Sequence, residues 1–387
     1  MTLRATLLLA LPLPALFCAG GCGDDAADPG DAADRADQPA DEAEARDAGD
    51  VEVDAGLPPT ARVDLLLVVD TGPGLEEEQA ALVDELEWTL LELLVPSYDP
   101  LLGRTPPRVE DLHVGLITAD LGSGGFAVPG CSEPGAGDGG ALQAAGDGPT
   151  CLASYDALDC LDEDCPWLSH SPEHPDDGTD PLDAPLWDDF ACIVRLGADG
   201  CCFRQPLAAL VRALTEASAP GAPNEGFLRP DSVLGILIVS SVDDCSPADP
   251  ALFDPSDAEL GTLGTRCGLH PELLDPAAGF ADALLALRFG REERLVFAAL
   301  AGVPDDGRWA PGDPPEELAE LVEVDPADPQ RLLPVCSSSR GSAEAAARLA
   351  ELVQALGPNG LLDSICREDW SPVFQRWTRR VQAALGR

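Results

Sequence analysis

Lysine is absent: all 23 basic residues in the 387 are arginine, and asparagine occurs only as Asn224 and Asn359. Both missing types have AT-rich codons, so a GC-rich bacterial genome accounts for their scarcity. Without lysine there is no Gly-x-x-x-x-Gly-Lys phosphate loop. Positive charge is scarce altogether. Against 70 acidic residues the chain carries a formal charge of −47. Such a surface repels phosphate backbones, which argues against nucleic acid as a partner. Other signatures are missing too. No Cys-x-x-Cys pair marks a structural zinc site. No Gly-x-Ser-x-Gly elbow marks a nucleophile. The acidic clusters Asp162-Glu163-Asp164, Asp176-Asp177 and Asp243-Asp244 lack the Asp-x-Asp-x-Asp-Gly spacing of a calcium loop, so they read as solvated surface.

Histidine is nearly as rare as asparagine. His170-x-x-x-His174 has the spacing of two zinc ligands on one helical face. Pro172 and Pro175 flank His174 and speak against a helix, and no Glu follows His170 as general base. A zinc hydrolase is therefore the weakest of the readings. His113 and His270 stand alone and read as structural or exposed.

The N-terminal stretch reads as an export signal. Arg4 precedes the apolar run Ala5–Phe17, which is too short to span a bilayer comfortably. Ala19-Gly-Gly-Cys22 then places small residues directly before a cysteine, as in a bacterial lipobox, so Cys22 is the expected lipidation site of a leader covering 1–22. The alternative is an ordinary secretory signal cut elsewhere. The implied location is outside the cytoplasm, lipid-anchored to the outer membrane or cell surface of a Gram-negative bacterium. Residues 23–60 are mostly Asp, Glu, Ala, Gly and Pro. They cannot bury enough apolar surface to offset chain entropy and read as a disordered acidic tether.

Past residue 60 the pattern turns to alternating strands and helices. With 45% hydrophobic residues, the region 61–387 has the material for a large core. Val63–Val69, His113–Thr118, Val233–Val239 and Leu295–Ala301 are apolar runs of strand length. Leu75–Leu94, Leu207–Ala217, Ala277–Phe289, Ser342–Leu356 and Ser371–Leu385 are predicted helices; the first repeats leucine at helical spacing and stops before Pro96. Alternation of this kind implies an α/β fold, a mostly parallel sheet with helices on both faces. Ligands of such sheets sit at the carboxyl ends of the strands, and Asp70, Asp120 and Asp243 each follow a strand end.

The segment 122–191 breaks the rhythm. It is rich in Gly, Asp and Pro, and Leu121-Gly-Ser-Gly-Gly125 opens it as a turn. It reads as a disulfide-stapled insertion over the rim, either a variable binding surface or a segment with no role. Setting aside Cys18 and Cys22, the disulfide candidates are Cys131, Cys151, Cys160, Cys165, Cys192, Cys201, Cys245, Cys267, Cys336 and Cys366, with Cys202 as the candidate free thiol. The pairing is not legible.

Several segments in order resemble a group of bacterial von Willebrand factor A-like lipoproteins: Val63–Gln79, His113–Gly122, Phe190–Cys201, Gly226–Leu234, Ser240–Ser246, Val296–Val303 and Asn359–Cys366. The resemblance implies a doubly wound, Rossmann-like domain used for binding, usually of proteins or cell-surface ligands, without catalysis. It also implies a metal-binding loop, Asp-x-Ser-x-Ser, after the first strand. Here Asp70 is present but Gly72 and Gly74 replace the serines, and Ser241 stands where a second metal aspartate belongs. Cys202 also departs from the group, which tends to have glycine there. A hard cation needs several oxygens, so the loop reads as degenerate and cofactor-free. Asp70 would then cap the following helix or take up loop amides. The alternative is weak Mg²⁺, Mn²⁺ or Ca²⁺ binding by Asp70, Thr71, Asp120 and Asp243.

Overall fold

The computed structural model describes residues 61–72, 74–143, 166–170 and 190–386. The expected leader with Cys22, the tether, Cys151, Cys160, Cys165, His174 and the clusters at 162–164 and 176–177 lie outside them. The order along the chain is β1 (Arg62–Val69), α1 (Glu76–Leu94), β2 (Asp111–Thr118), β3 (Leu168–His170), α2 (Pro206–Leu214), β4 (Val233–Val239), α3 (Arg266–Leu269), α4 (Ala277–Ala286), β5 (Leu295–Ala301), α5 (Pro315–Ala319), β6 (Cys336–Ser337), β7 (Ser342–Ala343), α6 (Ala347–Leu356), β8 (Gly360–Ser364) and α7 (Ser371–Leu385).

Six strands form one mixed, mostly parallel sheet in the order β3-β2-β1-β4-β5-β8, with β3 alone antiparallel, against β2. β1 lies inside the sheet, between β2 and β4, with helices over both faces, which explains its apolar character: every residue from Val63 to Val69 is buried. Successive side chains point to opposite faces. Leu66 and Val68 pack with Leu207 and Leu210 of α2, Leu284 of α4 and Leu349 and Leu352 of α6. Leu65, Leu67 and Val69 pack instead with Leu82, Leu86 and Leu90 of α1 and Phe374, Trp377 and Val381 of α7. Among the described residues no helix is long and apolar enough to cross a membrane.

Asp64 is the polar exception within β1. Its carboxylate is fully buried but accepts from the Arg229 amide (2.8 Å) and side-chain Nε (2.8 Å), with the Ser232 hydroxyl a further donor. A buried charge held in this way is compensated within the sheet's amino-terminal end. His113 stands beside it, its Nδ1 2.8 Å from the Phe227 carbonyl oxygen, and burial pushes its pKa down.

Three predicted helices differ from the observed ones. Ser342–Ala346 is extended, not helical. The amide of Val335 donates to Ala343 O, that of Glu344 to Ser241 O and that of Ala346 to Gly302 O, at 2.8–3.0 Å. Backbone groups bonded outward in this way cannot join an i to i−4 ladder. Helix α2 ends at Leu214, not Ala217, and α4 at Ala286, not Phe289. The tighter turns Thr215 N–H to Arg212 O and Phe289 N–H to Ala286 O finish them. Beyond the two-residue strands β6 and β7, two strands of the main sheet have no counterpart in the predicted set. β3 has three residues and β8 only two consecutive leucines.

Disulfides join Cys131 to Cys201, Cys245 to Cys267 and Cys336 to Cys366. Cys192 is also disulfide-bonded. Cys202 is free, and burial pushes its thiol pKa up, which disfavours the reactive thiolate. The segment predicted as an insertion is packed over its first part: the turn at 122–125 is closed by the amides of Ser123 and Gly125 donating to Pro134 O.

Candidate functional site

Strand order reverses at β1 and β4, the position where open α/β sheets hold ligands beyond their carboxyl ends. Asp70 follows β1 there and is 1% exposed. Its Oδ1 accepts the Gly72 amide at 2.7 Å and the Arg204 Nε–H at 3.0 Å. Its Oδ2 accepts the Ser240 hydroxyl, just past β4, at 3.0 Å. Asp70 therefore takes up a loop amide, but it does not cap α1; the cap residue is Leu75, which offers no side-chain hydrogen bond.

Arg204 is the residue sequence reasoning missed. Its backbone forms an isolated antiparallel bridge with Asp120, and its carbonyl accepts the Cys245 amide at 2.8 Å. Its Nη1 donates to Cys202 O at 2.8 Å, which leaves the Nε edge aimed at Asp70. The guanidinium lies over Gly72, where a Cβ would meet Nη2 at 1.5 Å. A cationic group thus sits on the Asp70 carboxylate, inside the space a side chain at position 72 would need. The only sequence signal was an arginine in a cysteine-flanked loop of an acidic chain.

The other rim residues are engaged separately. Thr71 turns toward the Gly200 loop: its carbonyl accepts the Gly200 amide at 3.0 Å, and a Cβ at Gly200 would strike its Oγ1. Asp120 binds the amides of Gly122 (2.7 Å) and Cys201 (2.8 Å). Asp243 accepts the Arg348 amide at 2.9 Å at the start of α6 and the Leu349 amide at 3.3 Å. Burial pushes the Asp243 carboxyl up to about 7 against those amides. The structure does not gather Asp70, Asp120 and Asp243 round one point. Among the described residues only Asp120, Cys131 and Cys201 bring three ligand atoms within 4.8 Å, and those two sulfurs are already bonded to each other.

Asp244 corrects the reading of the Asp243-Asp244 pair as solvated surface. It is 1% exposed. Its Oδ1 accepts the Leu207 amide at 3.0 Å, in the first turn of α2, and the Ser246 hydroxyl at 2.7 Å. Its Oδ2 accepts Arg348 Nη2 at 2.9 Å. Arg348 also reaches Asp275 O at 2.6 Å. One carboxylate thus ties the post-β4 loop, α2 and α6 together. His170 lies on β3 at the sheet edge, not on a helix, and His270 is 3.3 Å from Glu272.

No family model, curated protein or solved structure matches the chain. The Asp70 site contains a buried acid–arginine pair and a serine hydroxyl, with the guanidinium and the hydroxyl each donating to the one carboxylate.

Proposed function

We propose that the chain is a non-enzymatic binding protein, exported and lipid-anchored through Cys22, whose domain is von Willebrand factor A-like and doubly wound. Its partner is a protein or cell-surface ligand, engaged without a metal. The reversal of strand order at β1 and β4, and the helices packed against either face, support the doubly wound reading. The disulfides are in keeping with an exported chain. The observation that carries the metal-free reading is the Arg204 guanidinium on Asp70. A cation approaching Asp70 would have to displace an ion pair whose carboxylate is fully buried.

The test is calorimetric titration of the full-length chain with Mg²⁺, Mn²⁺ and Ca²⁺, beside Asp70→Ala. The expected result is no saturable one-site binding. Saturable binding that disappears in Asp70→Ala would replace this reading with a metal-dependent one. For the partner, exchanging loops within 122–191 is expected to abolish capture, and capture that survives the exchange counts against the insertion as the binding surface.

A further inference from the structure

We propose that the pocket between the start of α1, the loop after β4 and the β6–β7 hairpin binds a small molecule through an oxyanion, a carboxylate or a phosphate. The pocket has a volume of about 520 Å³ and lies beside the Asp70 pair, sharing Arg204 with it. Its other charged walls are Glu78, Arg331, Arg340 and Glu344. In a chain with 70 acids and 23 arginines, three arginines on one cavity are a local concentration of positive charge, offset by Asp70 on Arg204 and by Glu78 and Glu344.

Two residues that line this pocket each carry a buried polar atom with no partner among the described residues: Glu78 Oε2 and Arg340 Nε. Glu78 is only 4% exposed, and an unpaired polar atom at that depth is costly. Arg340 is fixed in place. Its guanidinium carbon stands 4.5 Å from the Trp370 ring centroid, and its Nη groups donate to the carbonyls of Glu368 and Arg367. Its Nε–H is thus the donor left over. Arg331 stands exposed at the rim, its planar fork suited to a carboxylate or phosphate. Burial raises the Glu78 pKa, so its carboxyl keeps a proton more readily than that of an exposed glutamate.

The 19-residue helix α1 adds to this. No side chain caps its first turn, and its amino end lines the pocket through Leu75 and Glu78. Glu76 and Glu77 are exposed and do not line the cavity. Two arginines, a buried acid and a helix amino end line one volume. Guanidinium groups and a helix amino end are suited to an oxygen anion.

The proposal rests on the reading of the domain as a binding module, and it deepens that reading by naming a ligand class. The experiment is calorimetric titration of the full-length chain with inorganic phosphate and, separately, with succinate. Arg331→Gln and Arg340→Gln are measured beside it, with Arg212→Gln on α2 as control. Saturable binding of either anion, weakened on the order of tenfold or more by Arg331→Gln and unchanged in Arg212→Gln, supports the site. The anion bound more tightly identifies the group as phosphate or carboxylate. Because Arg340 also stacks on Trp370, its variant counts only if its unfolding midpoint matches the parent chain; Arg331→Gln decides otherwise. No saturable binding of either anion, or binding that Arg331→Gln leaves unchanged, overturns the proposal. A failure here with no metal bound at Asp70 removes the pocket ligand and leaves the metal-free binding reading standing.

Discussion

Gly72 and Arg204 occupy one space between them: a Cβ on Gly72 would stand 1.5 Å from Arg204 Nη2. A serine at 72, the residue the metal-binding pattern calls for, cannot coexist with the arginine in its observed place. The bare glycine at 72 and the guanidinium in its observed place are therefore one arrangement in structural terms.

Stability should report this coupling. Arg204→Ala leaves the Asp70 carboxylate buried with two neutral donors and no counter-charge. The expected cost is about 3–5 kcal/mol, the usual penalty for orphaning one half of a buried pair. Gly72→Ser, which expels the guanidinium, should destabilise in the same direction. Urea unfolding at neutral pH measures both.

Combining the two changes should put a site for a cation where the guanidinium stood. In Gly72→Ser/Arg204→Ala the carboxylate, two hydroxyls (Ser240 and the new serine) and an open space are present together. A hard divalent cation favours such oxygen donors. Millimolar Mg²⁺ is expected to raise the thermal midpoint of the double variant and leave the parent chain unchanged. Equal response of the two chains would show that Arg204 does not hold the cation's place.

The Asp244–Arg348 pair makes a separate prediction. Arg348→Met removes the only cation that the described residues place on Asp244, whose side chain is fully buried, at an expected cost of about 3–5 kcal/mol. Asp244→Asn should cost less in the Arg348→Met background than in the parent chain, since the charge is already uncompensated there. A double-mutant cycle in denaturant isolates the coupling.

Glu344 gives the chain a pH dependence. Burial raises its carboxyl from the ordinary 4.5 to about 7, in spite of Arg204. Between those values the folded chain holds a proton that the unfolded chain has lost. Its contribution to stability is fully present below pH 4.5 and is lost as pH rises through 7. Thermal midpoints measured from pH 5 to pH 8 should therefore fall with a steeper slope in the parent chain than in Glu344→Gln.

The central strands were legible because they are buried on both faces and so are written as unbroken apolar runs. β8 was not, because it carries Asp363 and Ser364 and has only Leu361 and Leu362 to announce it. Ser342–Ala346 misled for the opposite reason. Ser-Ala-Glu-Ala-Ala is good helix material, but backbone partners on Val335, Ser241 and Gly302 hold it extended. Asp70 was visible at the end of its strand. Arg204, 134 residues away, was not, since no spacing or periodicity links the two. Its pairing exists only once the loop has been folded back against Asp120.

That loop is tied down by the Cys131–Cys201 bridge, which spans 70 residues and ends three positions before Arg204. The crosslink and the counter-ion are thus neighbours on one segment: whatever cuts the bridge frees the stretch of chain that carries the guanidinium, and the buried carboxylate just past β1 loses part of what holds its partner in place.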